Sequence, residues 1–324
     1  MDKMESNKFF FKMRIKYILN LYYYLYFASK LVLLRLIYGR PEFIVYWGKA
    51  LGDNLLLTSP LKYIYDRTKK KQWVLSFYPE LFRYNKKIIC LKNNERGEDR
   101  IINLLKLRLH QPIYSKFIDK DTQESPENHI IRIIAKELGI TDYEKVPLEI
   151  DYKLHPTELG KTGGKPTIVI QSNSNGANYF IANKQWYPER FQEVVNYLNP
   201  YFEILQMGSI NDIFLDGCKD LRGKTTIRES IVIIASSQLF IGLVGFYMHA
   251  AKAVGTKSLI IYGGREHPDQ SGYTDNINIY SATHCSPCWK WSNCDYMRKC
   301  MQEITFDKLK EYLDLVIANR NKIT

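Results

Sequence analysis

Leu239-Phe240-Ile241-Gly242, then Gly245-Phe246-Tyr247-Met248-His249 and the small-residue run Ala250-Ala251-Lys252-Ala253, read as a buried strand, a glycine turn and a helix. A second apolar strand, Ser258 to Tyr262, follows and breaks at Gly263-Gly264-Arg265-Glu266-His267-Pro268. Apolar strands that alternate with helices, and show no polar face of their own, belong to a parallel sheet covered on both sides.

The same alternation runs upstream from this stretch. Strand Thr167 to Gln171, helix Pro188 to Leu198, strand Phe202 to Met207 and helix Ile227 to Ser236 complete one doubly wound half. Earlier still, strand Glu42 to Trp47 ends at Gly48 and leads through Gly52 into a helix over Asp53 to Thr68. Strands at Gln72 to Phe77 and Lys87 to Leu91, and helices at Asp99 to Leu109 and Glu127 to Leu138, make a second half. The polar segment with His155-Pro156 and Lys161-Thr162-Gly163-Gly164-Lys165-Pro166 separates them. The expected organisation is an arm at 1–40, a Rossmann-like domain at 41–155, a linker at 156–165, a second Rossmann-like domain at 166–305, and a final helix at 306–324 that packs back across the cleft.

A chain of 324 residues, 45% hydrophobic and 25% charged, suits two globular domains. Its net charge of +12 calls for anionic partners, and phosphate, lipid and nucleic acid all qualify. About half of that excess falls in the arm, where Lys3, Lys8, Lys12, Arg14, Lys16, Lys30, Arg35 and Arg40 face only Asp2 and Glu5. The uncharged run Tyr17 to Ser29 falls short of the about 20 apolar residues that a spanning helix needs, and it lacks the cleavage site of a signal peptide. Two readings of the arm stand: an interfacial anchor on anionic lipid, or a helix pair docked on the first domain with solvated cations. Six cysteines without a signal sequence point to a reducing compartment.

Ligands of an open parallel sheet lie beyond the carboxyl ends of its strands, where Gly48, Gly52, Gly208, Gly242, Gly245 and Gly263 fall. Neither G-x-G-x-x-G nor a P-loop is present, which weighs against dinucleotide oxidoreductases and Walker NTPases. Asp53 at a helix start is either a first-turn acid with a lowered pKa or a general base. Lys184, in Lys184-Gln185-Trp186-Tyr187-Pro188, and the preceding Ser172 and Ser174 could meet phosphate oxygens, as could the turn Gly263-Gly264-Arg265. Cys285, Cys288, Cys294 and Cys300 have a spacing compatible with a structural tetrahedral zinc site, and packed free thiols are the alternative.

In their order, Gly52-Asp53-Asn54-Leu55-Leu56-Leu57-Thr58-Ser59-Pro60, Lys184-Gln185-Trp186-Tyr187-Pro188, Val244-Gly245-Phe246-Tyr247-Met248-His249 and the Cys-Ser-Pro-Cys ending resemble the heptosyltransferase-like glycosyltransferases of family 9. That resemblance implies a GT-B fold, two Rossmann-like domains facing each other across a cleft. It implies an inverting transferase that moves a sugar from a nucleotide-diphosphate donor to a hydroxyl of a lipopolysaccharide-like glycan or glycolipid acceptor. Asp53 would be the catalytic base. Lys184, Gly208, Gly245, Met248, His249 and the Gly263-Gly264-Arg265 turn would hold the donor, and no cofactor would be needed for catalysis. The family's acid is replaced by Val244, which argues against heptose as the donor sugar. The enzyme would be cytoplasmic and peripheral on the inner face of the cytoplasmic membrane. The competing readings are a nucleic-acid-binding protein with a basic arm and zinc module, and a GT-B nucleotide-sugar binder without turnover.

Overall fold

A computed structural model describes residues 3–111, 126–158, 165–178 and 180–320, with side chains described from residue 13 onward. The first element, helix α1 (Lys3–Tyr38), is one continuous helix rather than a pair. It is followed by β1 (Ile44–Tyr46), α2 (Leu51–Leu56), α3 (Thr58–Thr68), β2 (Gln72–Ser76), β3 (Ile88–Lys92), α4 (Glu98–Leu104), β4 (Leu109–His110) and α5 (Ile130–Glu137). The four strands form a parallel sheet in the order β3-β2-β1-β4.

The second half contains β5 (Thr167–Ile170), α6 (Pro188–Leu198), β6 (Glu203–Gln206), β7 (Lys219–Asp220), α7 (Ile227–Ala235), β8 (Leu239–Leu243) and α8 (Phe246–Val254). It ends with β9 (Ser258–Gly263), α9 (Pro268–Ser271), β10 (Ile277–Tyr280), α10 (Lys299–Gln302) and α11 (Phe306–Ala318). Six parallel strands lie in the order β10-β9-β8-β5-β6-β7. Every residue of β8 and β9 is buried, which is why neither strand shows a polar alternation.

Both sheets reverse their winding direction once. The reversal lies between β1 and β4 in the first sheet and between β5 and β8 in the second. At such a point, neighbouring loops leave in opposite directions and open a crevice at the carboxyl edge. The two crevices face each other. Helix α2 packs against α8, and Gly52 lies so close that a Cβ there would stand 3.6 Å from His249 Cδ2 and from the Phe246 backbone.

The contact between the halves is apolar at its centre. One buried cluster joins Leu55, Leu56, Ile131 and Ile134 of the first half to Met248, Ala251 and Tyr273 of the second. Arg228, 6% exposed, adds a polar tie: it donates to the Glu80 carbonyl at 3.0 Å and the Lys153 carbonyl at 3.1 Å, and pairs with Glu158 at 2.5 Å.

Several expectations need correction. The helix expected over Asp53 to Thr68 is two, α2 and α3, joined at Leu57. The helix expected to reach Leu109 stops at Leu104, which frees Leu109 and His110 to add β4 beside β1. The final helix does not cross the cleft: Leu309 and Leu313 are buried in the core of the second domain, against α6. Of the linker, residues 159–164 lie outside the described residues.

Helix α1 docks through Phe27 and Leu31, both buried in a cluster with Ile44, Trp73, Leu75, Ile89 and Leu91. Tyr23 donates to Glu98 and accepts from Asn94 Nδ2 at 2.9 Å. Its other face exposes large apolar side chains, among them Tyr17, Ile18, Leu21, Tyr22, Leu25, Leu33 and Leu36. No helix among the described residues is long and apolar enough to cross a membrane.

Candidate active site

A cavity of about 650 Å³ occupies the space between the two crevices. That is a volume typical of small-molecule sites. The first domain supplies Trp47 through Asp53 after β1 and Gln111 after β4; the second supplies Ser174, Lys184, Gly208, Gly245, His249, Arg265 and Glu266.

Asp53 sits in the first turn of α2 and accepts the Trp47 indole N–H at 3.0 Å. A carboxylate at a helix start would ordinarily be held acidic by the helix dipole. Here the reverse obtains. Burial raises its pKa to about 6, against the opposing pull of the Trp47 hydrogen bond and of Lys184, while Glu266 pushes it further up. The expectation of a lowered pKa fails because α2 is only one and a half turns long and its start is enclosed by α8 and the Lys184 segment.

Lys184 ends a short turn after the 171–178 loop and forms an ion pair with Glu266. Arg265 pairs with the same carboxylate, and its guanidinium lies 4.8 Å from the Trp289 ring centroid. Glu266 also accepts the Ser271 hydroxyl at 2.8 Å. Burial alone would raise Glu266, yet Lys184 and Arg265 hold it at about 2. Sequence reading passed over this residue, although its place beside Arg265 at the end of a buried strand was a usable signal.

His249 is buried on α8 and its Nδ1 lies 2.8 Å from the Tyr273 hydroxyl. Burial lowers its pKa to about 3, so the ring is neutral at ordinary pH. Gly245 caps α8, and Gly245, Phe246 and Tyr247 at the start of that helix line the cavity.

Other expected donor contacts lie outside the cavity lining. Ser172 is fully buried and donates to the Ile213 carbonyl at 3.0 Å while accepting from Gln206, so it braces the loop from behind. Met248 has no exposed surface and receives the Tyr262 hydroxyl at its sulfur. Gly263 and Gly264 serve packing: a Cβ at either would meet Met301 or Ser286 at under 3 Å. Ser174 does line the cavity, bound to Gln185 Nε2 at 2.7 Å.

Cys285, Cys288, Cys294 and Cys300 are free and half-buried. No group of three or more Cys, His, Asp or Glu among the described residues is gathered closely enough to hold a metal ion. Burial raises the pKa of the Cys288 and Cys300 thiols, and neighbouring cysteines of the four act in the same direction; no chemistry is assigned to a metal.

Two doubly wound domains closed on a cleft with a carboxylate on one wall and cations on the other define a GT-B glycosyltransferase. The chain belongs to glycosyltransferase family 9 (heptosyltransferase), whose sequence model matches residues 108–296. Among solved structures it is similar to the iron-containing dodecameric glycosyltransferase TibC from enterotoxigenic E. coli. That match has a TM-score of 0.67 and 17% identity, covering 86% of this chain and 76% of that one. It is also similar to the ADP-heptose lipopolysaccharide heptosyltransferase II of E. coli, with a TM-score of 0.63 and 12% identity over 86% of this chain and 99% of that one. A family 9 glycosyltransferase from Veillonella parvula matches with a TM-score of 0.60 and 13% identity, covering 86% and 97% of the two chains. No curated protein sequence matches.

Proposed function

We propose that this glycosyltransferase inverts the anomeric centre of a sugar carried on a nucleoside diphosphate and transfers it to a hydroxyl of a lipopolysaccharide-like glycan or glycolipid. The observation that carries the reading is the placement of Asp53 on the cavity wall facing Lys184, Arg265 and His249. TibC has been solved in complex with ADP-D-beta-D-heptose, which supports a nucleotide-sugar donor here.

Asp53, held by Trp47 through one oxygen, takes the proton of the acceptor hydroxyl on the other. The acceptor oxygen bonds to the anomeric carbon from the face opposite the diphosphate, and the C–O bond to the diphosphate breaks with its electron pair. Charge that builds on the departing oxygen meets Lys184, Arg265 and the N-terminus of α8. With Tyr273 donating to Nδ1, His249 presents Nε2–H as a further donor. These fixed donors supply the electrostatic stabilisation of the leaving group.

The acceptor side would extend into a second groove of about 1040 Å³, walled by α1 (Lys16, Tyr24) and by Tyr46, Phe77 and Arg100. It meets the catalytic cavity at Gln111, which lines both. The outward apolar face of α1, with Arg14, Lys16, Lys30 and Arg35 along the helix, suits an anionic membrane surface. The enzyme would then work at the inner face of the cytoplasmic membrane. Nucleic acid fits less well, because the arm's cations are interleaved with tyrosine and leucine.

The test is a binding panel of nucleotide sugars, nucleotides and oligonucleotides, followed by product detection with the donor it identifies. Asp53→Ala should abolish transfer and leave donor binding nearly intact. Equal turnover in that variant removes Asp53 from the mechanism; donor binding without product in the wild type would mark a binder.

A further inference from the structure

Glu266 has no part in the steps above, yet it is a 3%-exposed carboxylate on the cavity wall. Arg265 keeps its orientation without it, because Arg265 Nε donates to the Lys290 carbonyl at 3.0 Å and the guanidinium rests over Trp289. The Lys184 ammonium is aimed by Glu266, and Glu266 in turn is fixed by Ser271. We propose that Glu266 is a positioning residue that keeps Lys184 protonated and directed into the cleft, so that the lysine meets the donor diphosphate as a cation. This rests on the nucleotide-sugar reading.

The titratable groups facing Lys184 come from three elements: Asp53 on α2, Arg265 and Glu266 after β9, and His249 on α8, of which His249 is neutral. Burial lowers the pKa of Lys184, and Arg265 acts in the same direction. Glu266 and Asp53 oppose them. Once Asp53 has taken the acceptor proton its charge is gone, and it no longer helps to hold the lysine's proton. Glu266, ionised throughout the working range, is the protein carboxylate that still does so while charge builds on the leaving group. A buried ammonium without such a partner loses its proton instead of bearing the charge.

Pyrophosphate and ADP serve as probes in calorimetric titrations of the full chain, run across pH in buffers of different ionisation enthalpy. Above about pH 7.5, beyond the titration of Asp53 and of the probes' phosphates near 6, wild type should lose little affinity up to about pH 8.5. E266Q should lose affinity toward alkaline pH, by up to about tenfold per pH unit, and take up a proton on binding. E266D, with its carboxylate set back by one methylene, should show a smaller loss in the same direction, and it serves as the test if E266Q does not fold. Unchanged pH dependence in the folded variants overturns the proposal, as does uniformly tighter binding in E266Q, which would make Glu266 a mere competing anion. Failure of wild type to bind either probe would overturn the nucleotide-sugar reading itself, a result distinguishable from equal binding by wild type and variants.

Discussion

Asp53→Asn should make the protein more stable while ending its chemistry. The carboxyl of Asp53 titrates at about 6 in the folded protein and 3.8 in the open chain. At about 1.4 kcal/mol per pH unit, that gap costs the fold about 3 kcal/mol wherever the group is ionised in both states. The sign follows from the raised value. Below about pH 4 the carboxyl is protonated in folded and unfolded chains alike and costs nothing; as pH rises through about 6 the full penalty develops. Asparagine carries no charge and still offers Trp47 an oxygen, so at about pH 8 the variant should gain up to about 3 kcal/mol. Urea unfolding of both proteins at about pH 8 and about pH 4 reads this directly, provided the slopes agree. With Asp53 as the proposed base, the same titration should set the acid limb of kcat/KM near pH 6, with activity rising above it. A variant no more stable than wild type at pH 8, or a gap that persists at pH 4, would refute the claim that burial governs Asp53.

Three further outcomes are expected. Tyr273→Phe removes the hydroxyl at His249 Nδ1, so donor KM should rise and kcat fall together by about tenfold, measured by steady-state kinetics. Arg228→Met leaves Glu158 and two backbone carbonyls without their partner; denaturant unfolding should show a loss of about 3 kcal/mol, and a loss under 1 would mean that the tie is dispensable. The double substitution Leu21→Asp and Leu25→Asp, on the outward face of α1, should abolish co-sedimentation with phosphatidylglycerol-containing vesicles and leave ADP affinity unchanged.

The strands of both sheets could be read because burial on two faces forces continuous apolar runs such as Leu239 to Leu243 and Ser258 to Tyr262. Asp53, Lys184 and His249 could be placed because their motifs resemble the family's, and Gly245 and Arg265 because each follows a strand end; neither signal fixes the direction of a side chain. That limit explains Ser172 and Met248: each is one or two positions from the cavity, and the chain turns them into the core. Glu266 and Tyr273 escaped notice because their roles depend on contacts with Lys184 and His249 that no local pattern encodes. The break at Leu57 did leave a signal, Pro60, which cannot donate to the Leu56 carbonyl and so interrupts a continuous helix; β4 is two residues long, too short for any periodicity.

The apolar cluster that passes from Leu55 and Leu56 to Met248 and Tyr273 constrains how the enzyme can breathe. Wide separation of the lobes would wet that seam at about 25 cal/mol for each Å² uncovered, so rocking about an intact hub is cheaper than gaping. Exchange of the proposed nucleotide product for fresh donor would then fall to the edge of the cleft, where Asn178 spans the gap to the Lys49 carbonyl at 2.8 Å. A single amide would serve as the latch of a gate whose hinge stays dry.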